Sequence, residues 1–317
     1  MTGTVLLRDL RDLDGRARAR DNQHLFFSGH MFVAAIRSSR HRVKAATFSA
    51  RRGIHLHSRT VDGPAGSDPL VLLHGLFGHS GNFNSLSRRL AVRRPVVLAD
   101  LRNHGSSPWD DECSLEAMAD DVIELLDTEG IDSATICGHS LGGKVAMAAA
   151  LKAPERVSKL IVADIAPVDY DAQHAGWRAN HIIMDSLVEL PKETLASRAE
   201  ADAALAKVVA EPGIRAFLLQ NLLPDEQRFR FNLHALRDAA RSSVFSGFPE
   251  LPSAPVYLPV RVVAGSNSSY CNAPEHRAAI ERFFPGAESE THFLNAGHWL
   301  HAEKPDDFFA LVDEFCD

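Results

Sequence analysis

At 317 residues with 45% hydrophobic content, the chain can bury a full core, and no run of apolar residues is long enough to span a bilayer. The net charge of -7 is uneven: residues 1–53 hold 11 Lys plus Arg against 4 Asp (+7), which leaves -14 for residues 54–317. An acidic body argues against a nucleic-acid surface, and four scattered cysteines, Cys113, Cys137, Cys271 and Cys316, suggest neither a zinc site nor a disulfide framework.

No acid occurs between Asp21 and Asp62, and Met31 to Arg52 is rich in Arg, Ser and Ala, with Phe32, Ile36 and Val43 able to share a helix face. That composition fits a mitochondrial targeting leader, so residues 1–46 are expected to be a leader outside the folded body. A basic arm, or part of the first strand, is the plainer alternative, and would leave the protein cytoplasmic. The nature of residues 1–30 and the cleavage site stay open.

From residue 54 short apolar runs alternate with amphipathic ones. Strands are expected at Leu70 to Leu73, Val96 to Ala99, Ala134 to Cys137, Leu160 to Ala163, Val260 to Ala264 and Thr291 to Leu294. Most are continuously apolar, as strands buried on both faces of a parallel sheet should be. Helices are expected at Asn82 to Val92, Leu115 to Thr128, Leu141 to Leu151, Pro274 to Phe284 and Pro305 to Phe315. The alternation breaks between Pro167 and Pro259, where Trp177 to Leu190, Thr194 to Val209 and Asp225 to Ala240 read as helices without a convincing strand. The chain thus predicts an α/β domain over 47–317 with a helical lid over 168–256.

Chemistry on such a sheet belongs at the carboxyl ends of the strands. Gly138-His139-Ser140-Leu141-Gly142 fits G-x-S-x-G between an apolar strand and an Ala-rich helix. Its glycines suit a sharp turn that lifts the Ser140 hydroxyl above the sheet, which marks Ser140 as the nucleophile. A serine needs a base. Of 16 histidines, His298 lies just after the last strand candidate, in the chain order expected for this motif, with His301 as its competitor.

The base needs a carboxylate to hold its tautomer. The loop after Val260 to Ala264, a common place for it, reads Gly265-Ser266-Asn267-Ser268-Ser269-Tyr270 and has no acid. Asp164, at the end of the neighbouring strand, is the candidate, against a role as a mere turn cap. His74-Gly75-Leu76-Phe77-Gly78 ends the first strand candidate and would offer the N–H of Leu76 or Phe77 to an oxyanion, with the N–H of Leu141 as the second donor. His74 reads as a scaffold residue. Lys144 reads as packing its stem and pairing a carboxylate. Phe217-Leu218-Leu219 and Leu222-Leu223 would pack the lid or bind acyl chains, with packing preferred.

Together with Asp100-Leu101-Arg102-Asn103-His104-Gly105, Asp164-Ile165-Ala166-Pro167 and Gly297-His298-Trp299, these motifs resemble one group of α/β-hydrolases. It comprises the bacterial YbfF-like esterases and the eukaryotic abhydrolase domain-containing protein 11, and the resemblance covers about residues 54 to 316. It implies an α/β-hydrolase fold, with a mostly parallel sheet flanked by helices and the lid inserted after the sixth strand. It also implies a serine hydrolase acting on ester or thioester acyl groups, without cofactor or metal, and with Asp164 as the acid. Its eukaryotic members are mitochondrial. The expected partner is a small acyl ester or a lipid-like substrate, and the oligomeric state is not legible. An Asp-nucleophile dehalogenase or epoxide hydrolase is disfavoured by Ser140. A cofactor-free C-C bond hydrolase and a non-catalytic binding or scaffold protein remain as alternatives.

Overall fold

The computed structural model describes residues 53–170, 173–242, 245–249 and 254–317. The expected leader over 1–46 lies outside the described residues.

The chain enters the sheet through β1 (Ser58–Val61), followed by β2 (Leu70–Leu73), a 3-10 turn at Ser80–Phe83, α1 (Asn84–Leu90) and β3 (Val96–Ala99). Next come α2 (Leu115–Thr128), β4 (Ala134–His139), α3 (Leu141–Lys152) and β5 (Val157–Ala163). Every residue of β2, β3 and β4 is buried; the unbroken apolar sequences of β2 and β3 suit strands covered on both faces, and β4 buries Thr135 and His139 as well. In α2 the buried positions Leu115, Met118, Ala119, Val122, Leu125 and Leu126 recur at the helical period, and the Ser114 hydroxyl caps the helix by accepting from Ala117 N–H at 3.2 Å. The helix after Ser140, α3, is buried from Leu141 to Leu151, and its alanines let it lie close to the sheet.

Between β5 and β8 (Val260–Gly265) the chain forms α4 (Ala175–Val188), α5 (Arg198–Leu205), α6 (Pro212–Leu219), the short pair β6 (Leu222–Leu223) and β7 (Arg228–Phe229), and α7 (Leu233–Arg241). After β8 follow α8 (Pro274–Phe283), β9 (Thr291–Leu294), α9 (Leu300–Glu303) and α10 (Pro305–Cys316). Among the described residues seven strands form one sheet in the order β1-β3-β2-β4-β5-β8-β9. Within this sheet only the β1-β3 pair is antiparallel.

Three expectations need correcting. The helical insertion follows the fifth strand of the described chain, not the sixth, because a single strand, β1, precedes Leu70–Leu73. The stretch expected as one helix from Thr194 to Val209 divides into a 3-10 turn at Lys192–Ala196 and α5, with Ser197 extended between them. The stretch from Asp225 to Ala240 is broken where Gln227 takes a left-handed φ of 51°, which lets Phe229 pair with Leu222 and stack on Phe231 at 5.0 Å.

Candidate active site

The site grows from two adjacent strand ends. His139 of β4 is registered against Ala163 of β5, so the next residues in each chain direction, Ser140 and Asp164, emerge side by side. Ser140 N–H donates to Ala163 O and Asp164 N–H to Val263 O, both at 2.9 Å, which carries the ladder one residue past each strand. Both residues then turn sharply into the left-handed region, Ser140 at φ 53° and Asp164 at φ 52°. Non-glycine residues seldom hold that conformation, and strain of this kind clusters at functional sites.

The elbow tolerates no extra carbon at its glycines. A Cβ on Gly138 would lie 2.1 Å from Gly142 O, and one on Gly142 would lie 2.4 Å from Leu73 O. The backbones of β2, β4 and α3 approach so closely that only glycine fits, and the turn leaves the Ser140 hydroxyl facing a cavity.

The structure brings Ser140, His298 and Asp164 together. His298 Nε2 lies 3.0 Å from Ser140 Oγ, and its Nδ1 lies 2.7 Å from Asp164 Oδ2. With a carboxylate facing Nδ1, the proton of neutral His298 sits there, and Nε2 is free to accept from the serine. Asp164 is fully buried, yet its charge is well supported, because Oδ1 accepts from Gly265 N–H at 2.9 Å and Oδ2 accepts from the Ser268 hydroxyl. The acid-free loop after β8 thus holds the carboxylate instead of supplying one.

His301, the competing histidine, packs its ring 4.7 Å from His139 and 5.1 Å from Phe83, and burial lowers its pKa to about 4. His74 belongs to the scaffold: its Nδ1–H donates to Gly75 O at 2.8 Å and its Nε2 accepts from Leu101 N–H at 3.0 Å. Burial lowers its pKa to about 4, so it stays neutral. The Arg102 to Gly105 turn is also architectural. Arg102 grips Asp121 with two contacts of 2.6 Å, and Asp100 accepts from Ser80 N–H and Ser106 N–H.

Leu76 and Phe77 border the same cavity as Ser140, and Phe77 is held at φ 62° with its carbonyl accepting from Asn221 Nδ2 at 2.8 Å. Leu141 is the first residue of α3, where an N–H has no partner within the helix and the helix dipole is positive. The cavity beside Ser140 has a volume of about 200 Å³ and a largely apolar wall that includes Leu76, Phe77, Ile183, Ile214, Phe217 and Trp299. A second cavity of about 490 Å³ adjoins it and shares Asn82, Ile214, Phe217, Trp299 and His301. Phe217 therefore lines both cavities and Leu218 the inner one, whereas Leu219 and Leu222 are buried and line neither.

Lys144 departs from expectation. Its stem is buried, but its ammonium, with three N–H groups, lies within hydrogen-bond distance of four backbone carbonyls, Val168 at 2.9 Å, Phe245 at 3.2 Å, and Ser246 and Gly247 at 2.7 Å. A carbonyl cage, with Asp169 acting only at longer range, replaces the expected carboxylate pair. Sequence reasoning also passed over Ser268, His139 and Tyr270, whose ring lies 4.3 Å from that of His298. Ser268 sits in the loop singled out for its missing acid, and His139 sits inside the elbow motif, so both were in view without a visible partner.

The model of the alpha/beta hydrolase fold matches residues 68–305. The chain belongs to the alpha/beta hydrolase family. This hydrolase is 40% identical over 269 residues to the mouse sn-1-specific diacylglycerol lipase ABHD11, covering 83% of this chain and 86% of that protein. It is 35% identical over 253 residues to esterase YbfF of Escherichia coli K12, covering 80% of this chain and 94% of the esterase. Among solved structures, a marine microorganism esterase superposes with a TM-score of 0.78 at 32% identity, covering 83% of this chain and all of that one. Among the described residues no helix is long and apolar enough to cross a membrane, and no group of His, Cys, Asp and Glu is arranged to hold a metal ion.

Proposed function

We propose that this protein is a serine hydrolase that cleaves ester or thioester bonds of small acyl or lipid-like substrates through an acyl-enzyme. The observation that carries the reading is the chain from Ser140 Oγ to His298 Nε2 at 3.0 Å and from His298 Nδ1 to buried Asp164 at 2.7 Å, opening on an apolar cavity. In this reading Ser140 attacks the acyl carbonyl as its proton passes to His298 Nε2, and Asp164 stabilises the imidazolium. The N–H groups of Leu141 and of Leu76 or Phe77 hold the oxyanion. His298 then gives its proton to the departing alcohol or thiol. Water, deprotonated by His298, attacks the acyl-enzyme and releases the acid and free Ser140.

The names of the relatives, an esterase and a diacylglycerol lipase, support ester hydrolysis as the bond class. The inner cavity of about 200 Å³ holds roughly six or seven water-sized groups, and the adjoining one extends that room for a lipid-like substrate. The basic, Ser- and Ala-rich residues 31–52 support delivery to the mitochondrial matrix.

The test is hydrolysis of p-nitrophenyl esters of increasing acyl length by the full chain, alongside Ser140→Ala and His298→Ala. Turnover that both substitutions abolish supports the reading. Absence of turnover removes it and favours a binding role on the same fold, and activity that survives both substitutions removes it by placing the chemistry on other residues.

A further inference from the structure

We infer that His139, the residue before the nucleophile, is a positioning residue that fixes the histidine base by donating a hydrogen bond to its backbone carbonyl. The inference rests on the reading of His298 as the base of a Ser140 hydrolase.

His139 Nε2 lies 2.8 Å from His298 O. A carbonyl only accepts, so the Nε2 atom carries the proton and the ring is the Nε2–H tautomer. His139 ends β4 and is covalently joined to Ser140, so the contact links the rigid nucleophile strand to a loop 159 residues away. That loop needs a fastening. His298 itself lies between β9, which ends at Leu294, and α9, which starts at Leu300, so no strand or helix ladder fixes its backbone.

Other bonds hold the far sides of the loop: Gly297 N–H donates to Glu303 Oε2 at 2.7 Å, Asn267 N–H donates to Ala296 O at 3.0 Å, and Asn267 Nδ2 donates to Asn295 Oδ1 at 3.0 Å. None of these refers the loop to Ser140. His139 does, because the distance from Ser140 Oγ to His298 Nε2 is spanned by the Ser140 backbone, the His139 ring, its bond to His298 O and the His298 side chain.

The ring has little freedom to do otherwise. It packs between His298, at 4.8 Å between centroids, and His301, at 4.7 Å, and a Cβ on Gly75 would lie 3.0 Å from its Nδ1. His139 is buried, and that burial together with the neighbouring histidines holds its pKa well below the usual value. It therefore stays neutral when His298 takes up the serine proton, and adds no cation beside the transient imidazolium. A neutral donor at that place orients the base without opposing its charge.

Two substitutions separate the donor from the ring. His139→Phe keeps an aromatic ring between His298 and His301 and removes the donor; His139→Gln loses the ring and keeps an N–H near the Nε2 position. Should the Phe variant fail to fold, His139→Leu serves as the donorless form. Steady-state hydrolysis of a p-nitrophenyl ester is expected to show kcat reduced about 10- to 100-fold in the Phe variant with KM within about twofold, and restored to within about fivefold by Gln. A Phe variant with near-normal kcat, a Gln variant as poor as Phe, or a KM rise that accounts for the loss would overturn the inference. The parallel His298→Ala variant keeps the two readings apart. Its full activity, or a native protein with no turnover, defeats the assignment of the base and the positioning role with it.

Discussion

Ser268 and His298 donate to one and the same oxygen of Asp164, Oδ2, while Gly265 N–H occupies Oδ1 at 2.9 Å. A fully buried carboxylate is costly unless its lone pairs are filled this way. Asp164→Asn leaves the volume unchanged but makes the wrong tautomer of His298 the better partner. It is expected to lower kcat by roughly 10³- to 10⁴-fold with little change in KM. Ser268→Ala removes one hydrogen bond to a charged group and is expected to cost about 10-fold in kcat. Ester kinetics on both variants check this; an Asn variant as fast as the native protein would place the acid elsewhere.

The carbonyl cage around Lys144 joins Val168, at the start of the insertion, to Phe245, Ser246 and Gly247, near its end. Lys144→Met strands these acceptors in a buried site and is expected to destabilise the fold by about 3 kcal/mol or more, measured by urea denaturation. The sign of its pH dependence follows from burial, which lowers the Lys144 pKa from 10.5 to about 7. Between those values the unfolded chain binds a proton that the native one does not, so native stability rises with pH. The Met variant lacks that rise. Its deficit should widen from about pH 7 towards pH 10, and a deficit that narrows would show the cage favouring the ammonium over burial.

Acid should weaken the fold before its carboxylates titrate. Burial lowers the pKa of His74 and His301 to about 4 and of His104 to about 3, and holds His139 well below its usual 6.5. Above pH 6.5 these groups are neutral in both states and contribute nothing. As pH falls from 6.5 towards 4 the unfolded chain gains protons that the native one refuses, so stability drops, by roughly 1.4 kcal/mol per histidine per pH unit at the steepest. Urea denaturation at about pH 7, 6 and 5 measures this; unchanged stability down to about pH 5 would contradict it.

Phe217 of α6 lines both cavities and stands 6.2 Å from the Trp299 ring. Phe217→Ala should merge the two spaces and shift the preferred ester to an acyl chain longer by about two or more carbons, through a lower KM for the longer esters. An unchanged chain-length profile would mean that the acyl group takes another path.

The body of the sheet was legible because strands buried on both faces have nothing but apolar residues, as Leu70–Leu73 and Val96–Ala99 do. The edge strand Ser58–Val61 was not, since its polar Ser-Arg-Thr run faces solvent and carries no buried stripe. The insertion was recognisable as helical but not divisible, because its breaks rest on single backbone turns such as Gln227 and on strands of two residues. Ser140, His298 and Asp164 could be named from strand ends alone. Ser268 and His139 could not, because each gains its meaning from a partner 104 or 159 residues away that only folding brings within reach. Lys144 misled for a related reason: a buried ammonium suggests a carboxylate, and backbone carbonyls leave no mark in a sequence.

Asp164 is also where the sheet hands the chain over to the helical insertion. The following turn is stitched down by Tyr170, whose hydroxyl accepts from Ala166 N–H at 2.9 Å and donates to Tyr270 O at 2.6 Å. For anyone grafting the helical insertion of a relative onto this enzyme, the junction matters more than the helices. A splice upstream of Tyr170 would exchange the turn that follows Asp164, whereas one downstream of it would change what the cavity accepts and leave the hydrogen-bond partner of His298 in place.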